Sequence, residues 1–496
     1  MKSTTTKENL QEESTKSAKN VSKRRTGTSR KNSKQTLSAE QIKAAKAAEE
    51  KFKQEICGGL KAYSWKELET GRKFHKNEKL SFISDDMLII GCDIGSETHY
   101  ARAINNRGVE ISGKAFAFSN SREGFKSLKD WALSLAVKEG KKQIVLGLEP
   151  TGHYWFVLCS WLISNGISVV QVNPYAVKQT KELEDNSQRK DDRKDPKLIA
   201  NLVKDGNYGM PYLPEGRYAE IRGLSLLREQ ISENRIREVN RLQREIRIYF
   251  PEYTDIYADV TAVFSLKLLK GYPLPEDMAE AGESGLRENW KQYKLRGCGF
   301  NKAKTVIEAA QASVGLKEGK DAARDSIRWF AGEIERYDSM LREVESRLEK
   351  ECLLLPNADL VKEISGIGND ILAGLLSDLG DPERFDDAKE LQKMSGLGLV
   401  ANSSGKHHGQ TKISHRGRKR LRYWLYQAAR SVVAHAEEYR EIHVYYTTRA
   451  ENPLKKMQSL MVIACKLLRI IFTLLKTGVH YDPEKVRKDI RRIQTA

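Results

Sequence analysis

The chain has 496 residues, with 85 Lys and Arg against 67 Asp and Glu and a formal net charge of +18. It is too long for one hydrophobic core, so several domains are expected, and its charge favours a polyanionic partner, because each neutralised phosphate releases condensed counterions. Six cysteines (Cys57, Cys92, Cys159, Cys298, Cys352, Cys465) stand without a CxxC pair. That pattern argues against structural zinc and fits a reducing, cytoplasmic compartment, and the start MKSTTTKENLQEES has no apolar core for a signal peptide.

Residues 1–85 read as a basic, largely disordered extension. The stretch Val21–Lys34, VSKRRTGTSRKNSK, has almost no apolar content and cannot offset the entropy of ordering the chain. AEQIKAAKAAEEKFKQEI has the composition of an isolated or transient helix. From Met87 the texture changes. MLIIGCDIG reads as a buried strand and HYARAINNRGVEISGKAFAF as a hairpin turning at Asn105–Gly108. Ser121–Lys138 is predicted helical, KQIVLGLEP a second buried strand, TGHYWFVLCSWLISNG a helix, and ISVVQVNP a further strand. Hairpin strands followed by alternating helix and strand predict a mixed α/β sheet domain over residues 86–210. DPKLIANLVKDG closes it as a helix, with Pro196 comfortable in the first turn.

Residues 211–354 are predicted as a long-helix, coiled-coil region. LSLLREQISENRIREVNRLQREIRIYF carries an interrupted apolar stripe, and Ile327, Phe330, Ile334, Tyr337, Leu341, Val344 and Leu348 form a heptad seam. The two helices can pair within one chain or between chains. Residues 355–450 form a compact helical region, and 451–496 a last helix with a basic tail. The longest apolar stretch, LMVIACKLLRIIFTLLK, is broken by Lys466 and Arg469 and reads as a packed helix, not a membrane span.

Four carboxylates in the first half suggest one metal site: Asp93 in CDIG, Glu149 in GLEPTG, and Asp192 and Asp195 in RKDDRKDPK. A buried strand rarely carries Asp without a partner or a task, and flanking Gly91 and Gly95 would leave room for a phosphate or metal. Glu149 ends a second apolar strand, and a helix would put Asp192 and Asp195 on one face. Acids gathered inside a basic protein point to Mg²⁺, which takes oxygen ligands, acting on nucleic-acid phosphate. Singly, Asp93 can bond a turn, Glu149 can pair with a Lys, and the last two can charge a helix N-terminus.

A second candidate lies near the C-terminus. Gly366–Ile367–Gly368 resembles a helix-hairpin-helix turn, or is an ordinary turn between helices. In MSGLGLVANSSGKHHGQTKISHRGRKRLR, Ser403 and Ser404 fall in a loop beside a run of cations. A serine there can act as nucleophile on a phosphodiester, or the loop simply precedes a phosphate-gripping helix. His407 and His408 lack a matching Cys/His set for zinc.

The ordered set CDIG, GLEPTGHYW, KDDRKDPKLIA, ISGIGNDILAGLLSDLGD and SGLGLVANSSG…KISHRGRKRLR resembles the insertion-sequence one-ten (IS110) family of DEDD transposases, relatives of the pilin-gene invertase, over roughly Met87 to Arg430. The resemblance implies a RuvC-like, ribonuclease-H-fold domain whose metal ligands are Asp93, Glu149, Asp192 and Asp195. It also implies an all-α, helix-hairpin-helix-containing transposase domain whose covalent nucleophile is Ser404, with Ser403 the close alternative. It further implies target and donor DNA as substrates, a structured bridge RNA as guide, a homo-tetramer (a dimer of dimers), and a bacterial protein on the nucleoid when active. Two positions depart from the family pattern: His415 replaces the usual Lys, and Pro196 replaces the usual Ala. The rival readings are a metal-only junction resolvase or nuclease and a non-catalytic nucleic-acid scaffold.

Overall fold

The computed structural model describes residues 39–68, 76–184, 194–295, 299–400, 403–404, 407–408 and 412–494. Three helices lead in: α1 (Ala39–Gly59), α2 (Trp65–Leu68) and α3 (Lys76–Phe82). The α/β domain follows as β1 (Met87–Asp93), β2 (Thr98–Ile104), β3 (Phe116–Ser119), α4 (Arg122–Lys138), β4 (Gln143–Leu148), α5 (Trp155–Ser164), β5 (Ser168–Val172), α6 (Pro174–Glu184), α7 (Asp195–Lys204) and β6 (Tyr208–Gly209). Across the sheet the order is β3-β2-β1-β4-β5-β6. β1, β4 and β5 run parallel, while β2, β3 and the edge strand β6 are antiparallel to their neighbours.

Strand alternation divides the sheet into two faces. Leu88, Ile90 and Cys92 of β1, with Ile144, Leu146 and Leu148 of β4, bury in one layer with residues of α4 and α5. Met87, Ile89 and Val145 bury on the other face with Ile199, Ala200, Leu202 and Val203 of α7. By the same period Gly91 and Gly147, paired in register, face α7. A Cβ on Gly91 would stand 1.8 Å from the Pro196 carbonyl oxygen, and one on Gly147 would stand 2.3 Å from Val203 Cγ2. The two missing side chains therefore let α7 lie directly on the central strands. The expectation that Gly91 leaves room for a phosphate or metal is corrected: helix backbone fills that space. Gly95 serves the tight β1–β2 turn instead, where a Cβ would meet the Thr98 carbonyl oxygen at 2.3 Å.

Two local expectations also change. Asn105 does make the turn, its Oδ1 accepting from the backbone N–H groups of Arg107 and Val109 at 2.9 Å. The return strand begins only at Phe116, after a single bridge between Ile104 and Glu110. The segment read as a transient helix is α1, packed on the domain, with Ile56 only 3% exposed in the α4/α5-side core. Gln143 Nε2 donates to the Gly59 carbonyl at 2.9 Å, and Ser168 Oγ accepts from Tyr63 N–H at 3.1 Å. A segment outside the domain proper thus ties down β4 and β5.

The chain then turns helical. α8 (Gly216–Tyr249) is followed by α9 (Tyr253–Ile256), α10 (Val263–Gly271), α11 (Pro275–Gln292), α12 (Phe300–Gln311) and α13 (Lys320–Leu353). α8 and α13 pair antiparallel within the chain, with Arg228 bridged to Glu345 at 2.8 Å and Arg217 to Glu351 at 3.0 Å. Ile327, Ile334, Val344 and Leu348 of the heptad seam are buried. α9 to α12 pack around the distal end of the pair in a separate core that contains Trp290 and Tyr253.

The rest comprises α14 (Ala358–Lys362), α15 (Asn369–Leu379), α16 (Ala388–Met394), β7 (Leu399–Val400), β8 (Ser403–Ser404), β9 (His407–His408), β10 (Lys412–Ile413), α17 (Lys419–His435), α18 (Glu437–Thr448), α19 (Lys456–Thr477) and α20 (Pro483–Gln494). By length and composition α19 could cross a bilayer, yet Ile463, Ala464, Leu467, Leu468 and Ile471 are buried in the helical core. The expected basic tail holds the amphipathic α20, whose Val486 is buried. Gly366, at φ +98°, backs onto α17, where a Cβ would meet the Ser431 carbonyl oxygen at 2.9 Å. It serves helix packing at the expected hairpin turn.

The glycine seat yields a stability test. Gly147→Ala should destabilise the protein by about 1–3 kcal/mol, the usual cost of overpacking, measured by chemical denaturation. Adding Val203→Ala should recover part of that loss. Gly91→Ala should resist such rescue, because the atom it meets is backbone.

Candidate active site

Asp93 closes β1, and Glu149 is the first residue after β4. The register pairs Cys92 with Leu148, so the next residue of each parallel strand reaches the same edge of the sheet. Both acids share the parity of Gly91 and Gly147, and so belong to the α7 face. Asp195 is the first residue of α7, with Pro196 in the first turn. Seating α7 on the paired glycines therefore carries the Asp195 carboxylate to the strand ends where Asp93 and Glu149 stand.

The electrostatics record that meeting. Burial, then the charges of Asp93 and Asp195, push the Glu149 carboxyl above its ordinary range, while Lys181 pulls it back. Lys181, on α6, donates to both Asp195 oxygens at 2.7 and 2.9 Å. Nothing in the sequence singled out Lys181, one of many lysines; only the packing of α6 beside α7 selects it. Just beyond Asp93 the β1–β2 turn is fastened by buried His99, whose Nδ1 accepts from Gly95 N–H at 3.2 Å.

Asp192 lies outside the described residues. The described helix begins at Asp195. Among the described residues no three His, Cys, Asp or Glu side chains are close enough to enclose a metal ion. The donor chemistry nonetheless suits a hard divalent cation: carboxylate oxygens at strand ends, where burial and then the neighbouring acids raise Glu149.

Ser403 and Ser404 were expected in a loop. They form β8, an antiparallel ribbon with β9 in which Ser404 pairs with His407 and Ser403 with His408. Below it β7 pairs with β10. The base of this arm is a close backbone crossing, where a Cβ on Gly417 would come 2.4 Å from both Gly396 N and the Met394 carbonyl oxygen. His415, the departure from the family pattern, sits at this crossing with φ +53°, and its N–H donates to the Gly396 carbonyl at 3.1 Å.

The helical region and the α/β domain touch beside the two candidate sites. The Arg416 guanidinium lies 4.9 Å from the ring centre of Tyr175 on α6, the helix that carries Lys181. Arg384 stacks 3.5 Å from the Tyr212 ring centre, and Tyr212 Oη accepts from Asp381 N–H at 3.2 Å.

Residues 90–251 match a family model for DEDD transposases of IS110 elements, and residues 358–446 match one described as Transposase IS116/IS110/IS902 family. The chain is 23% identical over 395 residues to the pilin gene-inverting protein of Moraxella bovis, covering 79% of this chain and 97% of that protein. The Moraxella lacunata protein of the same name gives the same identity and coverage. This chain is also 24% identical over 245 residues to the putative transposase y4uE of Sinorhizobium fredii, covering 49% of this chain and 66% of that protein, just under two thirds of its length. An acid-bearing α/β domain joined to a basic helical domain is thus the architecture of a DNA transposase or recombinase. The chain belongs to the IS116/IS110/IS902 family of transposases.

Lys181 supplies a test of the acidic cluster. Lys181→Met should cost the metal-free protein no more than about 1 kcal/mol, the range of a partly exposed ion pair. It should also enlarge the rise in melting temperature that MgCl₂ produces over EDTA, because an internal cation no longer competes for Asp195. An unchanged Mg²⁺ response would place Lys181 outside the cation site.

Proposed function

We propose that the protein is an RNA-guided DNA recombinase that excises and inserts a mobile element by strand exchange through a phosphoserine intermediate. The observation that supports the reading is that Asp93, Glu149 and Asp195 stand near enough for the charges of Asp93 and Asp195 to add to burial in raising the Glu149 carboxyl. The strand order, with a hairpin sheet leading into parallel β4 and β5, supports a RuvC-like, ribonuclease-H-type reading of residues 86–210. The rest divides into the long-helix region 211–354, the serine-bearing domain 355–450 and the closing helices 451–496, preceded by the extension 1–85.

Asp93, Glu149, Asp192 and Asp195 would hold Mg²⁺, which when bound orients phosphate oxygens and offsets their charge. The sheet and α7 hold Asp93, Glu149 and Asp195 at the ends of β1 and β4 and the start of α7. Ser404, or its neighbour Ser403, attacks the scissile phosphorus. The Ser–P bond forms as the bond to one deoxyribose oxygen breaks, and that oxygen leaves with the proton it needs. A hydroxyl of the incoming strand then attacks the same phosphorus and releases the serine. One phosphodiester is lost and one gained, so rejoining needs no ATP.

A guide RNA fits the excess of cations over anions, with base pairing choosing the sequence and protein cations gripping backbone. Assembly as a dimer of dimers fits the exposure of Ile236 and Trp329, 54% and 67%, on the long helical pair. In such an assembly the acids of one subunit can meet the serine of another.

Ser404→Ala should abolish strand exchange and the covalent protein–DNA adduct trapped by denaturing electrophoresis, at least about a thousandfold, in line with removal of a nucleophile. Survival of DNA cutting in Ser403→Ala, Ser404→Ala and the double variant would favour hydrolysis by metal alone. Asp93→Asn should keep DNA binding and lose exchange. It should also lose most of the Mg²⁺-dependent stabilisation, about 2.7 kcal/mol at a hundredfold excess over Kd. Purification with RNA left attached should yield one discrete RNA species; random fragments would count against guidance.

A further inference from the structure

A cavity of about 960 Å³ opens at the foot of the serine-bearing ribbon, between α16, β7, β10 and the helices α17, α18 and α19. Its floor is apolar, including Ile442, Met461 and Ile463. Four tyrosines line it, Tyr423 and Tyr426 from α17 and Tyr445 and Tyr446 from α18, and Tyr423 is 51% exposed. Lys412, Lys419, Arg422, Lys466 and Arg469 also line it, and no Asp or Glu among the described residues does. Arg422 donates to the Ser395 carbonyl at 2.9 Å and Arg469 to Gln392 Oε1 at 3.4 Å. Those acceptors are neutral and leave the cationic charge in place.

Lys466 is engaged, its Nζ donating to the Val486 carbonyl at 3.1 Å; a core defect would not gather Lys412, Lys419, Arg422 and Arg469, and a pocket for an aliphatic side chain has no use for them. Aromatic rings in a largely apolar cavity, lined by cations and by no Asp or Glu among the described residues, are what a single nucleic-acid strand requires: bases stack on aromatic side chains while the backbone follows positive charge. The size lies at the upper end for a pocket that takes a compact ligand, about 300–1,000 Å³. β7 and β10 line the cavity and support the arm that carries Ser403 and Ser404, so a strand seated here runs towards the serine.

We infer that this cavity binds one or more unstacked bases of a single DNA strand, holding the strand out of the duplex beside the serine ribbon. The inference rests on the reading of the protein as a DNA strand-transfer enzyme and adds a site for that strand. Its energetic logic is that taking a base out of the stack costs free energy, which an aromatic pocket offsets. Mismatched or already unpaired DNA near the cut is then the preferred substrate.

The test uses the full-length protein in EDTA, so that no cutting intervenes and the result does not depend on catalysis. Fluorescence anisotropy compares a labelled single-stranded oligodeoxynucleotide, the matching duplex, and an RNA of the same sequence. Tyr423→Ala should weaken single-stranded DNA binding by at least about fivefold, the lower bound for lost base stacking, and duplex binding by less than about twofold. Tyr423→Phe, which keeps the ring, should bind like the parent. In the parent protein, 5-iododeoxyuridine placed in the strand should photocrosslink to a peptide from α17, α18 or α19. Equal loss on duplex and single strand, loss on RNA alone, or unchanged binding with crosslinks elsewhere would each overturn the assignment. So would a change in oligomeric state by sedimentation with DNA binding intact, which would make the cavity an interface between copies. Loss of strand exchange in Ser404→Ala with this binding pattern intact leaves the pocket standing; strand exchange that survives all the serine variants removes the mechanism and not the pocket.

Discussion

The contact between α7 and the paired glycines of β1 and β4 is the constraint on which the acidic cluster depends. A helix normally packs on a sheet through intervening side chains. Here Gly91 and Gly147 contribute none, and the Pro196 carbonyl occupies the place where a Cβ would project. The close approach fixes the height and direction of α7 and therefore of Asp195 at its start. The same two strands end in Asp93 and Glu149 two residues later, on the same face. Geometry that buries apolar residues in the middle of the sheet thus assembles like charges at its edge. Burial first, and then the charges of Asp93 and Asp195, raise the Glu149 carboxyl, and Lys181 pairs with Asp195. The chemistry of such a cluster suits a cation, and the chain's excess of Lys and Arg suits a polyanion.

The serine ribbon obeys a different logic. Its strands are two residues long, and at its base Gly396 and Gly417 allow two backbones to cross in contact. Arg418 N–H donates to the Met394 carbonyl at 2.6 Å at that crossing. Arg416 against Tyr175 places the foot of the arm beside α6, so one helix is in touch with both the acidic cluster and the serine domain.

Much of this was legible in the sequence, and the parts that were not have physical causes. The buried strands, their closing acids and the long helix seam follow from local periodicity, which the chain cannot disguise. The N-terminal helix was misread because its Lys-, Glu- and Ala-rich composition looks self-sufficient; that Ile56 docks on α4 depends on a surface formed much later in the chain, by Arg122–Lys138. The serines were expected in a loop because two-residue strands leave no periodic trace. Gly91 was given the wrong task, although G-x-D in β1 and G-x-E after β4 repeat one pattern: a small residue two places before each acid. Read together they announce a helix seat. Read singly, each looks like open space.

By itself the sequence determined which residues are chemically able, because strand ends, charge balance and motif order are local properties of the chain. It placed Asp93 and Glu149 at strand ends and gave the serines their basic setting. Only the tertiary structure decided which of them meet, that Lys181 is the lysine that answers Asp195, and that four tyrosines and five cations from separated segments share one cavity. Those outcomes depend on packing between elements distant in the chain, where a register, a missing Cβ and a helix crossing select one arrangement from many that the sequence pattern alone permits.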